Sequence, residues 1–206
     1  MVDESRVELA RLMLKTGAVK FGVFTLTSGK LSPYYVDLRV IPSYPSALRR
    51  VVDMYQKVIE ENVGLHVVDR VAGVPVAGIP FASIVAYNNL KPFLYVRKEA
   101  KPHGRERRIE GVLKPGDRVL IVDDLATTGK SSLSAVEAIQ AEGGVVEHVV
   151  VLVDREEGAA EALAERGVRL HAVTGVGDLA DRLFEIGAIT EEQRREILAQ
   201  RARKKA

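Results

Sequence analysis

Apolar residues recur along this chain with two different periods, and the change between them divides it. Over residues 4–16 they fall at helical spacing (Val7, Ala10, Met13, Leu14), with Ser5 and Glu8 spaced as a capping box and Gly17 as the stop. Residues 21–37 are β-rich pieces punctuated by Ser28-Gly29, which predicts a hairpin. Pro45 opens a helix that carries Leu48, Val51, Val52, Tyr55, Val58 and Ile59 on one side and ends at Gly64. From residue 66 short apolar runs alternate with helical stretches. Strands are predicted near 67–74, 93–97, 118–123, 146–153 and 168–173, and helices near 78–89, 130–142, 157–166, 178–186 and from 190 onward. Gly143-Gly144 and Gly167 mark helix ends. Such alternation predicts an α/β fold, a parallel twisted sheet flanked by helices. Residues 1–65 lack it and are expected to form a small subdomain packed on a 66–206 core, the whole being one structural unit.

Composition narrows the function classes. An apolar fraction of 47% supports a sizeable core, and no apolar run reaches the length of a membrane span. The first residues (Met1-Val2-Asp3-Glu4) are acidic, so no secretory signal is expected, and a cytoplasmic location fits. The absence of cysteine excludes disulfides, cysteine-ligated zinc and thiol catalysis. The net charge is only +2, and Arg201, Arg203, Lys204 and Lys205 are concentrated at the C-terminal end. The body therefore has no basic field, and neither nucleic acid nor membrane is an expected partner. The 28% charged content is a weak sign of heat adaptation.

Candidate chemistry centres on Arg118-Val119-Leu120-Ile121-Val122-Asp123-Asp124-Leu125-Ala126-Thr127-Thr128-Gly129-Lys130-Ser131. A β-branched run ends in two carboxylates, and a small hydroxyl-bearing turn then leads into a helix. Backbone N–H groups, a helix N-terminus and the Thr127, Thr128 and Ser131 hydroxyls converge there, which suits a phosphate. The acids repel phosphate and suit ribose hydroxyls or a cation. Together they describe a cradle for a phosphorylated pentose. Gly129-Lys130-Ser131 matches the end of a Walker A loop, but that motif needs glycine where Asp124 stands, so a nucleoside-triphosphatase reading fails.

Residues 119–131 closely resemble the signature of type I phosphoribosyltransferases, which use 5-phosphoribosyl 1-diphosphate (PRPP). Arg97-Lys98-Glu99-Ala100-Lys101-Pro102-His103-Gly104 resembles the mobile lid of orotate phosphoribosyltransferases, and Phe21 to Tyr35 resembles the hood that covers the base. The resemblance implies PRPP contacts from Arg97, Lys98, Lys101, His103, Asp123, Asp124, Leu125, Ala126, Thr127, Thr128, Gly129, Lys130 and Ser131. Lys101, Asp123 and Asp124 are the implied catalytic residues, with Lys101 stabilising the departing diphosphate. Thr127 and Arg155 are implied for orotate, whose carboxylate suits a flat guanidinium. The competing use of Arg155 is a salt bridge to Asp154 or Glu156.

Two departures from the family pattern stand out. Thr27 replaces a PRPP-contacting lysine, and Val76-Ala77 replaces a basic residue in the diphosphate loop that spans Ala72 to Pro80. The implied reaction is Mg2+-dependent transfer of ribose 5-phosphate from PRPP to orotate, giving orotidine 5′-monophosphate and diphosphate. Mg2+ is expected to ride on PRPP oxygens, reaching Asp123 or Asp124 through water, with no direct protein ligand. A homodimer sharing the 97–111 lid between subunits is also implied. The alternatives are a phosphoribosyltransferase for another base and a non-catalytic PRPP-sensing regulator.

Overall fold

The computed structural model describes residues 2–25, 31–97 and 108–202. Helix α1 (Val2–Thr16) leads into a two-stranded antiparallel hairpin, β1 (Val19–Thr25) and β2 (Leu31–Val36). A 3-10 turn (Leu38–Ser43) follows, capped by the Asp37 side chain, and then α2 (Pro45–Asn62). The rest alternates: β3 (Arg70–Gly73), α3 (Gly78–Asn88), β4 (Phe93–Val96), β5 (Ile109–Glu110), β6 (Arg118–Ala126), α4 (Lys130–Ala141), β7 (Val145–Asp154), α5 (Ala159–Ala164), β8 (Arg169–Gly175), α6 (Val176–Glu185) and α7 (Glu191–Ala202).

Six strands form one sheet in the order β5-β4-β3-β6-β7-β8, parallel except for the edge strand β5. Successive residues of β6 feed opposite faces. Leu120 and Val122 join a cluster with Leu9, Val51, Tyr55, Phe81 and Leu179, whereas Val119 and Ile121 join Val136, Ile139 and Leu163. Burial on both faces is why the strand reads as an uninterrupted apolar run. The chain passes outward from β3 to β4 and returns across β3 to build β6. The C-terminal ends of β3 and β6 therefore flank a topological switch point, where such sheets open a ligand crevice.

Several boundaries differ from the sequence expectation. Ser5 lies inside α1, so there is no capping box there; Glu8 instead pairs with Arg50 of α2, Nε to Oε1 at 2.7 Å. Strand β6 does not end at the acids but continues to Ala126, because Leu125 and Ala126 keep pairing with Val153 and Asp154 of β7. The predicted strand 67–74 is shortened by a 3-10 turn at Leu65–Val67. The 3-10 turn at Leu38–Ser43 and strand β5 carry no period long enough to detect. Helices α1 and α2 share one apolar cluster with the sheet. No helix among the described residues is long and apolar enough to cross a membrane.

Candidate active site

Asp123 is only 4% exposed, although it sits at the mouth of the crevice. Its Oδ1 accepts from the backbone N–H of Asp124 at 2.9 Å. Burial, and then the adjacent Asp124 carboxylate, push its carboxyl well above the usual range. Burial also raises Asp124, while hydrogen bonding to Asp123 and to backbone N–H groups and, last, the nearby Arg39 guanidinium oppose that rise. Two adjacent desolvated acids favour a proton, a cation or hydroxyl donors. Behind them the fully buried Tyr55 hydroxyl donates to the Asp123 carbonyl at 2.6 Å, and its ring lies 5.7 Å from that of Phe81. One aromatic cluster thus ties α2, α3 and β6 together beneath the acids.

The turn between β3 and α3 meets Asp123 from the other side of the crevice. A Cβ on Gly78 would lie 2.7 Å from Asp123 Oδ1 and 2.8 Å from the Val122 carbonyl, so only glycine lets α3 start here. The expected diphosphate loop is therefore a tight strand-to-helix turn whose helix begins against the acid pair. Val76 is exposed at its tip.

After β6 the chain turns through Thr127 and Thr128 to Gly129, whose φ of +76° places it in the left-handed region just before α4. A side chain there would also crowd Ala159 of α5, 3.3 Å away. No side chain among the described residues caps α4, so its first N–H groups face outward beside the half-buried Thr127 and the exposed Thr128, Lys130 and Ser131. An uncapped N-terminus of this kind is an anion site. Leu125 and Ala126 belong to β6, and they bring only backbone toward this turn.

Arg155 follows β7, and its N–H donates to the Ala126 carbonyl at 2.8 Å, which sets it beside the β6 turn. Its side chain is 12% exposed and lies over the Tyr34 ring of β2, 5.2 Å from the centroid. Nη2 stands 3.0 Å from Glu157 Oε1, yet it is misaligned for a hydrogen bond. Nε and Nη2 are buried without a hydrogen-bond acceptor among the described residues. The ion-pair partner is thus Glu157, not Asp154 or Glu156. Asp154 accepts from the Glu156 N–H at 2.8 Å, and Glu156 accepts from the Gly177 N–H at the start of α6 at 3.0 Å.

The acid pair, the Thr127–Ser131 turn and Arg155 therefore share one end of the sheet. Arg97 is engaged elsewhere: Nη1 lies 3.2 Å from Glu110 Oε1, and its backbone pairs with Arg108 next to the β4–β5 ladder. Lys98, Lys101, His103, Thr27 and Lys30 lie outside the described residues. Sequence reasoning missed Arg39, which is held by Asp37 (Nε to Oδ1, 2.6 Å) and the Tyr35 hydroxyl (3.2 Å) near Asp124. The Asp-x-Arg spacing at 37–39 was its only trace. Tyr34 was missed because its role depends on a contact between distant elements, and Glu157 because the backbone turn at Glu156 that brings it to Arg155 leaves no mark in the sequence pattern.

Residues 43–171 match the family described as "Phosphoribosyl transferase domain". An orotate phosphoribosyltransferase from Cenarchaeum symbiosum is 42% identical over 182 residues, covering 88% of this chain and 91% of that one. The crystal structure of orotate phosphoribosyltransferase from Aeropyrum pernix superposes with a TM-score of 0.78 at 38% identity, covering 88% of this chain and 99% of that one. The chain belongs to the orotate phosphoribosyltransferase family. Another solved orotate phosphoribosyltransferase, from Mycobacterium tuberculosis H37Rv in complex with PRPP, has a TM-score of 0.67 at 33% identity and covers 85% of this chain and 98% of that one. In this phosphoribosyltransferase the family match spans α2 to β8 and contains the acid pair, the Thr127–Ser131 turn and Arg155, while Tyr34 and Arg39 lie before it.

Proposed function

We propose that this enzyme joins orotate to the ribose 5-phosphate of PRPP, releasing diphosphate, as a step of pyrimidine synthesis in the cytoplasm. The observation that carries the base assignment is Arg155, a buried guanidinium with unmet donors beside the turn that follows β6. Uncompensated donors of this sort are costly, and a planar carboxylate satisfies them.

In the reaction the bond between ribose C1 and the diphosphate oxygen breaks, and a bond from C1 to the orotate ring nitrogen forms. Positive charge develops on the ribose ring, as in glycoside chemistry. The orotate nitrogen attacks as an anion, so the protein needs no nucleophile of its own; it positions and stabilises. The α4 N-terminus and the Thr127–Ser131 turn hold the 5-phosphate. Asp123 and Asp124 hold the ribose hydroxyls and face the cationic ring. Lys101 is assigned to the leaving diphosphate by family resemblance.

Mg2+ is the proposed cofactor, and the residues fit it: the acid pair is desolvated and short of positive neighbours. Asp123 and Asp124 would hold it through water while substrate oxygens carry it, and among the described residues no larger cluster of metal ligands exists. When bound, it neutralises charge on the diphosphate oxygens. A homodimer sharing the 97–111 segment completes the proposal.

Diphosphate release from PRPP should require both orotate and Mg2+, and uracil or a purine base should not replace orotate. Turnover with another base alone would overturn the assignment. Arg155→Ala should raise the KM for orotate by roughly 10–100-fold, the worth of a charge-assisted hydrogen bond, with the KM for PRPP little changed. A change confined to PRPP would refute the role given to Arg155.

A further inference from the structure

Arg155 is one member of a small buried assembly, and its other members have no assigned work. Glu157 has a side chain only 1% exposed, and its Oε1 lies 3.0 Å from Arg155 Nη2. A carboxylate is almost never sequestered this completely unless it is paired. The guanidinium also lies over the ring face of Tyr34, 5.2 Å from its centroid. Between Arg155 and Glu157, Glu156 adopts a positive φ of 56°, which is unusual for a side-chain-bearing residue. Its carboxylate is anchored to the Gly177 N–H at the start of α6. The backbone around Arg155 is thus bent and tied on both sides, and the bend turns Glu157 inward.

We propose that Glu157 is the positioning residue of the base pocket: it holds Arg155 over Tyr34 so that Nε and the rest of Nη2 stay available to a planar anion. This rests on the reading of Arg155 as the group that meets orotate. The resident carboxylate does two things. It neutralises the guanidinium while the pocket is empty, which lowers the cost of keeping Arg155 buried. It also draws Nη2 to one side by charge attraction at 3.0 Å, so the fork is held in a single direction. A carboxylate lying flat against the fork gains two parallel hydrogen bonds, whereas a pyrimidine without one offers only a carbonyl. Discrimination for the carboxylated base therefore depends on Glu157 as well as on Arg155.

The test compares two substitutions of similar volume, so that folding is preserved. Glu157→Met fills the space but removes the negative oxygen beside Nη2, whereas Glu157→Gln keeps a partly negative oxygen at the same reach. Glu157→Met should raise the KM for orotate by about tenfold or more, the scale of one charge-assisted hydrogen bond, with kcat at saturating orotate and the KM for PRPP within about threefold. Glu157→Gln should restore most of the loss. Adding Glu157→Met to Arg155→Ala should cost nothing further, since the glutamate acts only through the arginine. Equal behaviour of the methionine and glutamine variants, or an additive double substitution, would overturn the proposal while leaving Arg155 in its role. An Arg155→Ala enzyme with an unchanged KM for orotate would overturn both.

Discussion

Asp123→Asn is expected to give an enzyme that melts higher at neutral pH and turns over at least ~100-fold more slowly, the scale seen when a preorganised electrostatic group is lost. The two effects have one cause. Burial and the adjacent carboxylate hold the Asp123 pKa above its unfolded value. A group shifted in this direction favours the folded state below its unfolded pKa, and that contribution disappears as pH rises through the folded pKa. At pH 7 to 8, above the unfolded pKa, the raised folded-state pKa opposes folding, so replacing the acid with a neutral amide stabilises the protein without substrate. Asparagine keeps the size of the side chain and an oxygen that can accept from the Asp124 N–H. The stabilisation should shrink as pH falls toward 4, where the wild-type acids take up protons. Thermal unfolding across that pH range, beside steady-state turnover, checks both halves. A variant that melts lower at pH 7.5 would contradict the account of the acid pair.

Gly78→Ala should shift stability the other way, lowering it and weakening PRPP use together. The added Cβ would meet the Val122 carbonyl at 2.8 Å and the Asp123 Cα at 2.9 Å. Both are backbone atoms of a central strand and cannot swing aside. Alanine's helix preference over glycine, about 1 kcal/mol in a helix interior, is smaller at a first helical residue and does not offset the clash. Overpacking of this kind costs about 1–3 kcal/mol, and each kcal/mol lowers Tm by about 2–4 °C in a chain of this size. Because α3 must retreat from the acids, kcat/KM for PRPP should fall by more than tenfold, in line with the sensitivity of catalysis to ångström-scale misplacement. Melting curves and initial rates over a PRPP series read the two effects separately. Unchanged melting would mean that α3 has room the geometry denies.

Much of the framework was legible in the chain, and for identifiable reasons. Val119 to Val122 read as a doubly buried strand because both faces of β6 are covered. The small glycine-bearing turn before α4 was legible, as were the helix ends at Gly143 and Gly167. Legibility failed where local pattern and long-range pairing disagree. Asp123-Asp124 looked like a strand terminus because acids usually end strands, yet β7 continues alongside and carries the ladder to Ala126. The sequence points to an ion pair of Arg155 with its immediate neighbours Asp154 or Glu156, but the positive φ at Glu156 turns the chain so that the next residue, Glu157, faces inward. Arg39 escaped notice because a short 3-10 turn, without periodicity, delivers it to the acids.

The position of the crevice between β3 and β6 has a consequence for how the protein and its substrate stabilise each other. These two strands are adjacent in space but distant along the chain, and parallel pairing of this sort is the slow, late kind of contact. A molecule gripping both the Gly78 side and the Gly129 side would therefore act as a clasp across the midline of the sheet. Its binding energy would be felt most by the central strands, and least by the peripheral hairpin and the outer helix α7.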